Sequence, residues 1–384
     1  MKPLSELVYS VPASGIRKYF DLVAGLDDAI SLGVGEPDYC TPWRIREAAI
    51  WSLEKGYTNY TSNYGLPELR REIARMLGER YGVAYDANDQ ILVTAGVSEG
   101  LDTAFRAILN PGDEVLVPET CYVAYHPCIA FAGGCIAPIP SRAESGFRVR
   151  AEDIAARITP RTKAILLAFP SNPTGATMDR DALQAIVRVA VEHDLYLVSD
   201  EIYDRLSYDQ PHTCVASLKG AAERTILLNG FSKAHAMTGW RIGYACAPAP
   251  VIEMMMKIHQ YTLMCASITS QMAAIEALKH GDRDVEEMVA DYDRRRHLFV
   301  KGLNDLGLDC PLPGGAFYAF PSITSSGLDA ETFAERLLRE EKVLVIPGTV
   351  FGPGGVGHIR CCYATATEKL EEALVRIGRF LDRL

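Results

Sequence analysis

The sequence has no CxxC pair, and its ten cysteines lie scattered from Cys40 to Cys362, with Cys361 and Cys362 adjacent. That spacing disfavours a zinc site, so no metal is expected. A chain this long and apolar needs no disulfide scaffold, so reduced thiols in a cytoplasmic protein are expected. No run of about 18 uninterrupted apolar residues occurs, which argues against a membrane-spanning helix. Residues 1–20 hold no apolar stretch followed by a cleavage site, so no secretory leader is read there. Positive charge is in deficit, with 39 Lys and Arg against 49 Asp and Glu and a net charge of −10. A uniform nucleic-acid or anionic-membrane surface is therefore not expected, although local cationic pockets remain open. Internal repeats and low-complexity linkers are missing as well.

What is present suits a soluble globular chain: 384 residues, 48% hydrophobic and 23% charged. That length suggests two domains, or one large α/β domain with an appendage. Short apolar runs alternate with helical periods. Gln90 to Gly96 reads as a buried strand ending in a glycine turn, and Leu101, Ala104, Phe105 and Ile108 then mark a helix face. Further strands are read at 114–117, 164–169, 195–198, 225–228 and 242–247. The turn 170–175 precedes a helix with Leu183, Ile186, Val187 and Ala190 on one stripe.

This alternation predicts an α/β fold with a mostly parallel mixed sheet flanked by helices, where ligands sit beyond the carboxyl ends of the strands. The last third changes character: Pro313–Phe320 and Lys342–Pro347 look like strands within a smaller α+β unit. The expected division is a large domain over 46–285 and a small one built from both chain ends, 1–45 and 286–384.

Polar residues just past the strands carry the candidate chemistry. Lys233 follows a strand among small and apolar residues, where desolvation lowers an amine's pKa and frees it for Schiff-base formation. Arg241, eight residues on, is a second cation in an apolar frame, and two close cations suit a phosphate. Asp200 closes the run from Leu195, with Tyr203 one helical turn later. Asn172 sits in the turn after another strand. Gly96 to Gly100 opens a helix whose first amides can bind phosphate. Each has a bland alternative: a surface lysine, a helix N-cap, a turn residue, a tight bend.

Taken together, Ser171–Gly175, Ser199–Tyr203 and Ser232–Gly243 read Ser-Asn-Pro-Thr-Gly, Ser-Asp-Glu-Ile-Tyr and Ser-Lys-x-x-x-Met-Thr-Gly-Trp-Arg-Ile-Gly. In this order and at these separations they resemble the class I aminotransferases, fold-type-I enzymes of pyridoxal 5′-phosphate (PLP). The likeness covers essentially the whole chain, from the Gly33–Pro37 loop to Arg360. It is greatest to a bacterial subgroup of N-acetyl-L,L-diaminopimelate, aromatic and aspartate aminotransferases.

The resemblance implies that Lys233 holds PLP covalently and shuttles the substrate proton, while Asp200 pairs with the pyridine nitrogen. An ion pair at about 4 Å and an effective dielectric of about 20 supplies about 4 kcal/mol, enough to keep that nitrogen protonated. Tyr203 and Asn172 are implied at the ring oxygen and Tyr122 on the ring face. Val97, Ser98, Ser232 and Arg241 are implied at the phosphate. Tyr60 matches a tyrosine that reaches the phosphate of a neighbouring subunit, which implies a homodimer with shared active sites. Arg360 matches the clamp for the substrate α-carboxylate, aided by Asn172 and the backbone of Gly35, because a guanidinium meets a carboxylate through two parallel hydrogen bonds.

The implied activity is transfer of an amino group from an amino acid to a 2-oxo acid by a ping-pong mechanism, with 2-oxoglutarate and glutamate as one pair. Some members that take acidic substrates carry a lysine where this chain has Ser98. Arg17, in a segment resembling the subgroup's active-site flap, is the candidate for reading a distal carboxylate. A C–S β-lyase or a decarboxylase would share the clamp and the electron sink, and pyruvate and ammonia from cystathionine would betray the lyase. A non-catalytic regulator on the same scaffold would show no visible cofactor absorbance. The glycine-rich stretch 351–357 is read as a loop, because no strand-to-helix frame surrounds it.

Overall fold

Continuous apolar runs, not alternating ones, build the central layer. The computed structural model describes residues 2–23 and 28–384. In chain order the strands are β1 Ile30–Ser31, β2 Ile91–Thr94, β3 Glu114–Pro118, β4 Cys135–Ile139, β5 Thr162–Ala168, β6 Tyr196–Asp200, β7 Thr225–Gly230, β8 Gly243–Cys246, β9 Tyr318–Ala319, β10 Val343–Leu344, β11 Ile346–Pro347 and β12 Ile359–Cys362. Seven of them form one sheet in the order β2-β8-β7-β6-β5-β3-β4. All pairs are parallel except those of β8, which runs antiparallel to both β2 and β7. The sheet is thus mixed but mostly parallel, as expected. Every residue of β2, β3, β7 and β8 is buried, the signature of strands covered on both faces.

The covering helices follow the stripes read from the sequence. Helix Val97–Ile108 buries Leu101, Ala104, Phe105 and Ile108. Helix Arg180–Glu192 buries Leu183, Ile186, Val187 and Ala190, and the side chain of Asp179 caps it by accepting from the Ala182 amide. The expected chemistry falls at one edge, because Ala168, Asp200 and Leu228 lie in register across β5, β6 and β7.

Two strand expectations need correction. Of Pro313–Phe320 only Tyr318–Ala319 is a strand, since Gly314 and Gly315 are packed against Thr177 and Pro170 and Ala316 holds a left-handed φ of 57°. Lys342–Pro347 is two short strands in different sheets: β10 pairs with β1, and β11 pairs with β12. Lys342 itself sits at φ 56° and caps helix Ala330–Glu341. Strand β4, which the sequence reading did not single out, forms the half-exposed edge of the large sheet, a place that tolerates its Pro138.

The C-terminal third packs with the beginning of the chain. One hydrophobic cluster joins Tyr19, Ile30 and Leu32 to Phe299, Phe333, Leu370 and Phe380. All ten cysteines are free thiols. Among the described residues, no helix is long and apolar enough to cross a membrane, and no group of His, Cys, Asp or Glu is arranged to hold a metal ion.

Candidate active site

Beyond the carboxyl ends of β5, β6 and β7 the chain encloses a cavity of about 770 Å³. Of the residues singled out in the sequence, all but Tyr60 line it. Tyr60 lies outside, with 81% of its surface exposed.

Asp200 ends β6 as a buried carboxylate. Its Oδ2 accepts from the Tyr125 hydroxyl at 2.8 Å, and its Oδ1 accepts from the Ile202 amide at 3.2 Å. Burial raises its pKa to about 6, against the pull of those two hydrogen bonds. At neutral pH the group is still mostly ionised, and a buried carboxylate with no cation paired to it among the described residues would accept strongly from a protonated ring nitrogen, whose charge would bring its pKa down again.

Lys233 stands three residues past the end of β7. Its amine donates to the Gly35 carbonyl at 2.7 Å and lies over the rings of Tyr203 and Phe317 at 5.9 and 5.8 Å. Burial lowers its pKa to about 8, with Arg360 and Arg241 adding repulsion that Cys362 and Glu36 oppose. Gly35 was expected to serve a substrate carboxylate through its backbone; here its carbonyl engages the lysine. The Tyr203 hydroxyl is 2.7 Å from that of Tyr318, so the two share one hydrogen bond.

At another part of the cavity the backbone forms a close cradle. Gly96 has φ 82°, and a Cβ there would stand 2.8 Å from Nη2 of Arg241. A Cβ on Gly243 would stand 3.0 Å from the Gly96 carbonyl carbon and the Val97 nitrogen. Arg241 itself holds a left-handed φ of 52°, strain of order 1–3 kcal/mol that suits a functional site. Its Nη1 donates to the Thr238 carbonyl at 3.0 Å. This cradle of helix-start amides and a guanidinium fits a phosphate.

Arg360 is 2% exposed. It donates to Asn172 Oδ1 at 2.9 Å and to the Gly33 carbonyl at 2.6 Å, between the rings of Tyr318 and Phe351. Its Nε is buried without a hydrogen-bond partner, and among the described residues no carboxylate lies within ion-pair distance. A buried cation left without an acid calls for an anionic ligand. Arg17 lines the same cavity from an exposed position. Among the described residues, the only acids lining the cavity are Asp200 and Glu36, and Glu36 accepts from Thr238 Oγ1 at 3.1 Å.

Tyr125 and Tyr318 were not picked out from the sequence, though both border the cavity. Tyr125 had a weak signal, standing three residues after Tyr122 and packing edge-on to it at 5.6 Å. The cavity therefore offers a nucleophilic amine, a deep acid for a basic ring nitrogen, and a phosphate cradle, so these residues fit PLP.

Comparison with known proteins agrees. Residues 27–377 match the family described as aminotransferase class I and II. A putative aminotransferase of Bacillus subtilis is 53% identical over 380 residues, covering 99% of this chain and 98% of that protein. Aromatic-amino-acid aminotransferase 2 of Thermococcus litoralis is 42% identical over 381 residues, with 98% of each chain covered. The structure of aspartate aminotransferase from Thermus thermophilus with maleate superposes with a TM-score of 0.94 at 40% identity, covering 99% of this chain and all of the other. The chain belongs to the class I and II aminotransferases, and it is a PLP-dependent transaminase.

Proposed function

We propose that the enzyme moves the amino group of an amino acid to a 2-oxo acid in two half-reactions, with glutamate and 2-oxoglutarate as one pair. The observation that carries this is the convergence of the Lys233 amine, the Asp200 carboxylate and the acid-free Arg360 guanidinium on one cavity. Bound PLP supplies an aldehyde for amines and a ring that takes up the electron pair left on the substrate α-carbon.

In this reading Arg360 receives the α-carboxylate through its fork, with Asn172 fixing the plane of the guanidinium. That grip turns the α-hydrogen toward Lys233 Nζ, which takes the proton as a free amine and later returns it. Asp200 keeps the cofactor nitrogen protonated, while Tyr203 and Asn172 donate toward the ring oxygen. Val97, Ser98, Ser232 and Arg241 hold the phosphate, and Tyr122 stacks on the ring. Tyr60, exposed and outside its own cavity, serves the neighbouring subunit of a homodimer. Arg17 reads a distal carboxylate of acidic substrates. We place the enzyme in the cytoplasm and divide it into a large domain over 46–285 and a small one from 1–45 and 286–384.

The test is a panel of amino donors with 2-oxoglutarate as acceptor, scored by formation of glutamate. Parallel lines in double-reciprocal plots are expected for two half-reactions. Converging lines, or no glutamate from any donor, would overturn the reading.

A further inference from the structure

Helix Val97–Ile108 begins in the cradle just described, and its third residue is Glu99. An acid at this position usually folds back onto the amide of the helix N-cap, here Gly96, and would set a negative charge beside the amides that an anion needs. In this chain the carboxylate goes elsewhere. Glu99 Oε2 accepts from the Ala95 amide, one residue further back, at 2.5 Å. Glu99 Oε1 accepts from Nδ1 of His259 at 2.5 Å. His259 belongs to helix Ala249–Thr262, is fully buried, and has an Nε2 without a partner among the described residues. An imidazole buried with one nitrogen unmatched costs about 1–3 kcal/mol, which the bond from its other nitrogen to a carboxylate can offset. The turn is tied from its other side as well, because Thr94 Oγ1 donates to the Gly96 carbonyl at 3.0 Å.

We propose that His259 is a positioning residue for the anionic end of the cofactor: by holding the Glu99 carboxylate on Ala95, it keeps the helix-start amides at Val97 and Ser98 turned to the cavity. The inference rests on the reading that the cofactor phosphate sits at this turn. Without His259, Glu99 is released onto the Gly96 amide, and its negative charge then stands beside the Val97 and Ser98 amides and repels the phosphate they would hold. Lys233, Asp200 and Arg360 lie outside this device, so the loss is confined to recognition of the phosphate.

The measurement is the affinity of cofactor-free protein for PLP and for pyridoxal, which lacks the phosphate, in wild type and variants. His259→Leu is expected to weaken PLP binding about tenfold to hundredfold, the worth of one hydrogen bond to a charged group, and to leave pyridoxal binding unchanged. His259→Asn, whose amide N–H can stand near the lost Nδ1, is expected to recover most of the PLP affinity. Equal weakening of both ligands by His259→Leu, or no recovery with Asn, would mean a merely structural histidine and overturn the proposal. Glu99→Ala gives an independent reading if the leucine variant does not fold. Adding His259→Leu to Glu99→Ala is expected to change the PLP-to-pyridoxal ratio no further, and an additive loss overturns the coupling. If wild type itself shows no preference for PLP over pyridoxal, the phosphate reading fails with it; a preference that survives in His259→Leu sinks the histidine's role alone.

Discussion

The Tyr125 hydroxyl donates to Asp200 Oδ2 at 2.8 Å, and the Ile202 amide covers the other oxygen. These two donors oppose the burial that otherwise drives the carboxylate toward its neutral form. Tyr125→Phe removes one of them, so the Asp200 pKa moves further up and its hold on a protonated cofactor nitrogen weakens. A hydrogen bond to a charged group is worth about 1.5–3 kcal/mol, so kcat/KM is expected to fall about tenfold to hundredfold. The pH titration of visible absorbance in the loaded enzyme is the check. An unchanged titration would remove Tyr125 from this role.

Asp200 also sets a stability trend in cofactor-free protein. Its folded pKa is raised to about 6 from a usual 3.8. Stability from this group is therefore complete below the unfolded value and is lost as pH rises through the folded one. A rise of about two units corresponds to about 3 kcal/mol at 1.36 kcal/mol each. Between pH 4 and 7 the wild-type apoprotein is expected to lose about that much stability relative to Asp200→Asn. Urea unfolding of both proteins at the two pH values measures it, and parallel behaviour would contradict it.

Lys233 runs the opposite way. Its folded pKa is lowered to about 8, so at pH 7 about one amine in ten is free, where an ordinary lysine offers about one in several thousand. Capture of PLP by cofactor-free protein should therefore speed up with pH and level off just above pH 8, well short of the ordinary lysine range. Borohydride followed by peptide mapping should find the label on Lys233 and nowhere after Lys233→Ala. A rate still climbing at pH 10 would show an unperturbed amine.

Arg360→Lys keeps the charge and loses the fork. The native side chain spends one Nη on Asn172 and the other on Gly33, contacts that fix a planar group which an ammonium cannot replace. We expect kcat/KM to fall at least about a hundredfold for every amino acid, the loss of a bidentate charged contact, with PLP affinity held. Equal loss of PLP affinity would place Arg360 in general packing.

Much of this was legible in advance for identifiable reasons. Strands buried on both faces write themselves as unbroken apolar runs, so β2, β3 and β5 to β8 were readable, and the stripes on helices Val97–Ile108 and Arg180–Glu192 gave their buried faces. Polar residues after those runs, Asp200 and Lys233 above all, had to sit at the sheet's carboxyl edge. Strand β4 carries Pro138 and one open face, so its run is too weak to stand out. Tyr125 and Tyr318 look like core aromatics until a hydroxyl partner is seen. Glu99 and His259 are 160 residues apart, and no local pattern joins them.

The role proposed for Arg17 is in substrate choice. It lines the cavity from an exposed position, while Arg360 lies buried on the Asn172 side. Two cations at separate places on one cavity can grip the two ends of a dicarboxylate, and a monocarboxylate engages only the buried one. An exposed guanidinium is screened by water, so its contribution is modest, about 1–2 kcal/mol. Arg17→Ala should then raise KM for aspartate and glutamate about fivefold to thirtyfold, leaving KM for phenylalanine and kcat for all three nearly unchanged. Steady-state kinetics on the three donors decides it. An equal rise for phenylalanine would mean that the segment merely closes the cavity and that Arg17 does not read the distal charge.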